Sequence, residues 1–204
     1  GEPRTKVGHG GTLDPLASGV LPIAIGEATK VCGRMLEATK QYAFTVRFGE
    51  ETDTLDAEGQ IVASSDVHPT AEEVADILPQ FSGPIEQVPP VFSALKIEGK
   101  AAYARARAGE EVEIKPRQVT IHELRLISAS GNEASFLTTV SKGTYIRSLA
   151  RDIARALNSV GHVTMLRRTR AGPFGLEKAI SLDFLGEAAK ARRLIGAVLP
   201  LEAA

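Results

Sequence analysis

Gly8-His9-Gly10-Gly11-Thr12-Leu13-Asp14-Pro15-Leu16-Ala17-Ser18-Gly19 places a single carboxylate in a glycine-rich turn. Pro15 biases Asp14 away from the helical region toward extended backbone. Gly10 and Gly11 let a ligand or another strand approach closely. A carboxylate fixed in this way can act as a nucleophile. By itself the stretch also reads as an ordinary Asp-Pro turn, and the residues around it decide between the two.

Downstream, Gly19 to Gly26 reads as a buried strand, with Pro22 marking an edge or a bulge. Glu27 to Ala38 reads as a helix with Val31, Met35 and Leu36 inward. Gln41 to Phe48 alternates as a strand, with Tyr42, Phe44, Val46 and Phe48 on one face. A short strand is expected over Gly59 to Ala63. Thr70 and Glu73 form a capping box for a helix reaching about Phe81. Val119 to Ser128 and Glu133 to Val140 pair around the Ser130-Gly131-Asn132 turn. Thr144 to Leu157 is the clearest helix, with Ile146, Leu149, Ala150, Ile153, Ala154 and Leu157 in one apolar stripe. Arg147, Arg151 and Arg155 are four apart and share another face. His162 to Arg168 and Gly175 to Ile180 read as closing strands. Ser181 to Leu185 opens a helical tail toward Leu199. Strands and helices mix without strict alternation, which gives an α+β class.

The 204 residues fit one domain, or one domain with an appendage. No apolar run is long enough for a membrane-spanning helix, and no basic-then-apolar signal segment opens the sequence. The single cysteine, Cys32, excludes an internal disulfide and fits a reducing cytosol. His9, His68, His122 and His162 are scattered, so no zinc spacing arises. The net charge of −1 is uninformative, but its distribution is not. Glu50 to Gln87 holds ten acidic residues and no Lys or Arg, whereas Ser141 to Arg170 holds seven basic residues against one acid, Asp152. A basic region of that kind can follow a phosphate backbone, although charge alone also fits a solvated helix face. Pro89 to Arg117 is a long basic excursion with a short helical patch over Ala101 to Ala108. Excursions of that length are usually functional loops or mobile segments.

Seven segments in order resemble the TruB-type tRNA pseudouridine synthases. They are the opening Gly8 to Leu21 stretch, Gly26-Glu27-Ala28-Thr29-Lys30, Lys40-Gln41-Tyr42 and Thr52-Asp53-Thr54-Leu55-Asp56-Ala57-Glu58-Gly59. Phe92-Ser93-Ala94-Leu95-Lys96, Ser141-Lys142-Gly143-Thr144-Tyr145-Ile146-Arg147 and Gly161-His162-Val163-Thr164-Met165-Leu166-Arg167-Arg168 complete the set. The likeness runs from Gly8 to about Leu182. It implies a mixed, mainly antiparallel sheet with flanking helices and a central catalytic cleft, residues 1–182 forming the catalytic domain and 183–204 a helical tail that begins a C-terminal region. The excursion at about 89–117 falls where stand-alone bacterial members carry an insertion that closes over the T-arm, and it is expected to be mobile without RNA. A preceding strand with Lys-Pro-x-Gly-x-Thr-Ser, and a C-terminal RNA-binding module, are expected outside the 204 residues.

The resemblance also implies an activity: isomerisation of uridine 55 in the TΨC loop of tRNA. The N1–C1′ glycosidic bond breaks, the uracil turns, and C5 joins C1′. There is no redox change, so no cofactor is required. Asp14 matches the catalytic aspartate, which can attack C1′ or C6 or stabilise an oxocarbenium-like transition state. Arg147 matches the arginine that pairs with and orients it. Tyr42 matches the tyrosine lying against uracil, holding the base by stacking and aiding C5 deprotonation. Tyr145 and Leu166 match residues lining the uridine pocket. His9 matches a histidine that contacts RNA where the flipped base has left its stack, and Lys30 a contact to the RNA backbone. From residue pattern alone, Tyr42, Tyr145 and Leu166 read as core, His9 as a loop histidine and Lys30 as a surface lysine. Asp56 is expected to orient a neighbour through hydrogen bonds. A nucleosidase using Asp14 with Asp56, and a non-catalytic RNA-binding module, are the rival readings. A cytoplasmic monomer acting on the tRNA T-arm is expected, and the basic insertion favours the stand-alone bacterial type over relatives that work in guide-RNA complexes.

Overall fold

The computed structural model describes residues 5–93, 96–97, 100–101, 114–191, 193, 196 and 198–200. Its centre is strand β4 (Lys40–Phe48), flanked by β11 (Glu133–Val140) and β12 (Gly161–Ala171), both antiparallel to it. β10 (Arg117–Ser130) forms a hairpin with β11 and also pairs with β7 (Gly83–Gln87). Gly131 makes that hairpin turn with φ of 61°, a conformation that costs glycine nothing. Beyond β12 lie β13 (Phe174–Gly175) and, parallel to β12, the two-residue strand β2 (Ser18–Gly19). The sheet is therefore mixed and mainly antiparallel, as expected for the α+β class.

The alternation in β4 is what fixes the core. Phe44, Val46 and Phe48 are buried, and Phe44 stacks on Phe136 of β11 with ring centroids 5.0 Å apart. Helix α2 (Ala71–Ile77) joins this core through Val74 and keeps both halves of the Thr70–Glu73 capping box. Helix α3 (Ile146–Ala156) contributes Ile146, Leu149, Ala150, Ile153 and Ala154, the stripe expected from the sequence. Burial of each such leucine or isoleucine contributes about 1.5–3 kcal/mol, enough to hold α3 firmly against β4 and β12.

Four expectations need correction. Gly19 to Gly26 is not one buried strand. It divides into β2 and β3 (Ile23–Ile25) around Leu21-Pro22, and β3 pairs with β1 (Val7–His9) in a small separate sheet. Pro22 cannot continue a ladder, and Leu21, Ile23 and Ile25 are exposed. Glu27 to Ala38 begins as a 3-10 turn, Gly26–Val31, and only then becomes helix α1 (Cys32–Glu37). No side chain caps its start, and Gly33 weakens its middle. Met35 is half-buried, whereas Leu36 is exposed. Gly175 to Ile180 is not a strand. After β13 the chain turns through the 3-10 segment Leu176–Lys178, since Leu176 and Ile180 stay exposed and have no apolar face to cover. The tail helix α4 (Leu182–Lys190), capped by Ser181, stops well short of Leu199. The Arg193 amide closes it with a 6→1 bond to the Ala188 carbonyl.

β5 (Glu50–Thr52) pairs with β6 (Ile61–Ser64), and β8 (Lys96–Ile97) with β9 (Lys100–Ala101). Apart from Ala101 in β9, the helical patch expected over Ala101 to Ala108 lies outside the described residues, as does most of the insertion whose mobility was expected. Among the described residues no helix is long and apolar enough to cross a membrane.

Candidate active site

The Asp14 loop runs from β1 in the small sheet to β2 in the main one. Asp14 opens a tight turn, its carbonyl accepting from the Ala17 amide at 2.9 Å. Gly10 is buried where an added Cβ would meet the Met35 Cβ at 2.7 Å, so its close approach is to helix α1 and not to a ligand. Gly19 has φ of 101°, and an added Cβ would fall 2.1 Å from the Arg168 carbonyl. Only glycine fits there.

Arg147 lies in the first turn of α3. Its Nε donates to Asp14 Oδ2 at 2.9 Å and its Nη2 to Asp14 Oδ1 at 3.2 Å. Nη1 donates to the Thr54 carbonyl at 2.8 Å, and Nη2 also reaches the Phe92 carbonyl at 3.0 Å. The Arg147 side chain is 4% exposed against 30% for Asp14. A cation at a helix N-terminus is opposed by the helix dipole by about 0.3–1 kcal/mol. A bidentate carboxylate and two carbonyls outweigh that, because leaving the buried guanidinium without partners would cost about 3–5 kcal/mol.

Asp56 completes the network from the other side. Its Oδ2 lies 3.7 Å from Arg147 Nη1, while Oδ1 accepts from Thr54 Oγ1 at 2.6 Å and from the Glu58 amide at 3.0 Å. Asp56 is buried, with its oxygens turned to these internal partners.

The turn before α3 is held unusually. Gly143 has φ of 74°, Thr144 Oγ1 donates to the Ser141 carbonyl, and Tyr145 is an N-cap whose side chain makes no capping bond. The buried Gln87 amide does the fixing instead. Its Oε1 accepts from the Tyr145 amide at 2.8 Å and its Nε2 donates to the Tyr145 carbonyl at 3.1 Å.

Asp14, Tyr42, Tyr145 and Leu166 line one pocket of about 280 Å³, with Lys40 and Arg168 in its wall. That is near the lower end of the ~300–1,000 Å³ typical of small-molecule sites, and it suits a single nucleoside. Asp14 is the only carboxylate among the described residues lining it. Burial pushes the Tyr42 phenol above its ordinary value of 10.0, with the nearby Arg168 cation pulling it down and Asp14 pushing it up. Lys40 donates to the carbonyls of Met35, Leu36 and Ala38 at the end of α1. Burial pushes its ammonium below 10.5, helped by Arg168 and opposed by Glu37.

The family models match in two pieces. The TruB family pseudouridylate synthase N-terminal domain covers residues 3–146, and the tRNA pseudouridylate synthase B C-terminal domain covers 147–204. The chain belongs to the TruB family of pseudouridylate synthases. It is 62% identical over 205 residues to tRNA pseudouridine synthase B of Novosphingobium aromaticivorans, covering 98% of this chain and 67% of that protein. With the Zymomonas mobilis protein of the same name it shares 61% over 203 residues, covering 100% and 67%. Among solved structures, a chain of a Cbf5-Nop10-Gar1 complex matches with a TM-score of 0.72 and 30% identity, over 97% of this chain and 52% of that one. A chain from an H/ACA RNP bound to a substrate RNA containing 2′-deoxyuridine matches with a TM-score of 0.69 and 27% identity, over 97% and 51%. The chain thus spans about two thirds of its curated TruB relatives and about half of the solved chains. The junction between the two TruB models falls in the first turn of α3, inside the packed core.

Of the expected TruB site residues, Asp14, Arg147, Tyr42, Tyr145 and Leu166 come together. His9 lies exposed on β1, its Nδ1 accepting a long 3.4 Å bond from the Gly11 amide, and it is not in the pocket wall. Lys30 is exposed at the end of the 3-10 turn and paired with Glu27. The three helix arginines do not share one environment: Arg147 is buried, Arg151 bonds Asp152 and the Val88 carbonyl, and Arg155 pairs with Glu51 in the acidic stretch. Much of the basic region is therefore engaged internally, although an exposed pair such as Arg155–Glu51 is worth only ~0–1 kcal/mol and can yield to a phosphate.

Gln87, Thr54, Lys40 and Arg168 were not singled out by sequence reasoning. A signal existed for Arg168: Leu166 inward and Arg167 outward puts Arg168 inward again on an alternating strand.

Proposed function

We propose that this chain isomerises uridine 55 in the TΨC loop of tRNA to pseudouridine. The observation that carries this reading is Asp14, held from behind by Arg147, in a nucleoside-sized pocket that Tyr42, Tyr145 and Leu166 also line. The pocket lies within the fold, so a base stacked in an RNA helix cannot reach it. The uridine must be extruded, at a cost of a few kcal/mol. Arg147 aligns Asp14, whose negative charge meets the electron-poor sugar or ring carbon as the glycosidic bond breaks. Tyr42 supports the uracil on its ring face. Its raised phenol value keeps it protonated at neutral pH, which suits hydrogen-bond donation better than acceptance of the C5 proton. Leu166 and Tyr145 hold the freed base while it turns, and His9 and Lys30 face the RNA outside the pocket. The much higher identity to tRNA pseudouridine synthase B than to the chain from the H/ACA RNP favours stand-alone action on tRNA. Because Asp56 spends its oxygens on internal partners, a two-carboxylate hydrolase is the weaker reading.

The test is incubation of the protein with a T-arm stem-loop, followed by nucleoside analysis. Pseudouridine at position 55 without free uracil is the expected result. Release of uracil would establish the hydrolase instead, and full activity of an Asp14→Asn variant would overturn the assignment of Asp14.

A further inference from the structure

Arg168 is 1% exposed, the largest of the fully buried side chains among the described residues. Its guanidinium binds three main-chain carbonyls of the Asp14 loop: Nε to Val20 at 2.7 Å, Nη1 to Thr12 at 3.2 Å and Nη2 to Gly11 at 3.0 Å. Two of these lie before Asp14 in the chain and one after it, so one planar group grips both limbs of the loop. The Arg168 backbone grips it too, since the Val20 amide donates to the Arg168 carbonyl at 2.8 Å. Across the sheet, Arg168 is the direct β-ladder partner of Tyr42, and both line the pocket.

We propose that Arg168 is a positioning residue that locks the Asp14 loop to the strand carrying Tyr42, so that carboxylate and phenol are held in fixed relation by one buried guanidinium. This rests on the functional reading above. The chemistry demands a guanidinium. Burying an unpaired cation is costly, and here carbonyl oxygens compensate for it through a donor fork of fixed geometry. A lysine has the charge but cannot direct bonds to three divergent carbonyls from one plane. The loop needs such a tie because its two ends belong to different sheets, β1 to the small one and β2 to the main one. β2 alone offers only two paired residues. The same cation lies close enough to Tyr42 to draw its phenol downward against burial, while Asp14 acts in the opposite direction.

The experiment compares the wild-type chain with Arg168→Lys and Arg168→Met, using pseudouridine formation on the T-arm stem-loop and spectrophotometric titration of the Tyr42 phenol. Tyr42→Phe in each background isolates the Tyr42 signal. A loop displaced by about 1 Å is expected to lose on the order of 10²-fold in kcat, with KM little changed because the RNA surface is intact. The Tyr42 midpoint should rise in Arg168→Met and rise less in Arg168→Lys. If Arg168→Met does not fold, Arg168→Lys carries the test, and a cooperative melt with kcat still depressed is the expected outcome. Wild-type kcat in Arg168→Lys, or a Tyr42 midpoint that stays put, would overturn the proposal. A wild-type chain that forms no pseudouridine overturns the functional reading instead, and the Tyr42 titration then decides the role of Arg168 alone.

Discussion

Arg147 grips Asp14 side-on through Nε and Nη2 across 133 residues of sequence. Both carboxylate oxygens are engaged, so the carboxylate plane is fixed as well as its position. Arg147→Lys retains one charge but loses the fork. Its kcat for pseudouridine formation is expected to fall by about 10²-fold, and Asp14→Asn is expected to abolish turnover while leaving the thermal melt cooperative. Single-turnover assays of the two variants, beside their melting curves, check both outcomes. An Arg147→Lys variant as fast as wild type would show that the fork does not matter.

Asp56 should behave differently from Asp14. Its Oδ1 accepts from Thr54 and Glu58 to close a local turn, so Asp56→Ala leaves two partly buried donors without this acceptor and should cost about 1 kcal/mol of stability. Asp56→Asn keeps an acceptor for them and should retain measurable turnover. Denaturant unfolding separates the two variants. Complete inactivity of a well-folded Asp56→Asn, matching that of Asp14→Asn, would move Asp56 into the chemistry.

Two glycines provide a matched pair. At Gly19 an alanine would face both a φ of 101° and a Cβ 2.1 Å from the Arg168 carbonyl. Strain of that kind costs at least about 1–3 kcal/mol, and activity should fall with it. At Gly33, inside α1, an added Cβ meets nothing within 4 Å. Gly33→Ala should therefore stabilise the fold by about 0.5–1 kcal/mol. Opposite shifts in Tm are the expected observation.

Tyr42 predicts an alkaline signature. Its phenol value is raised in the folded state, chiefly by burial. Between the unfolded value near 10.0 and the higher folded one, the unfolded chain binds fewer protons, so stability falls as pH rises. Below about pH 10 the contribution is fully present. Tyr42→Phe should thus lose less stability than wild type between about pH 9 and 11, as read by urea midpoints at each pH. Parallel curves for the two proteins would contradict this. Lys40 acts in the opposite sense. Its lowered value means the folded state resists protonation, so its contribution grows as pH rises toward 10.5.

Legibility in the sequence followed physical locality. β4, β11 and α3 were readable because each buries a regular stripe, and the capping box at Thr70 is a purely local signature. The failures came where neighbours in space decide. Ile23 and Ile25 look like core residues but belong to a two-stranded sheet with an exposed face. Leu176 and Ile180 alternate like a strand but have no partner edge to extend. At the site, Asp14, Arg147 and Tyr42 were reachable through motif order. Gln87 was not, because its amide acts on a backbone 58 residues away. For Arg168 the strand alternation marked an inward side chain, but its carbonyl partners leave no opposite charge in the sequence to show what it binds.

The span between Asp14 and its two arginines has a consequence for translation. The carboxylate loop is made before Arg147 and Arg168, which follow in α3 and β12. A nascent chain cannot assemble the centre until Gly161–Ala171 has cleared the ribosome. A polypeptide cut short before α3 would carry the carboxylate loop without the groups that hold it in place.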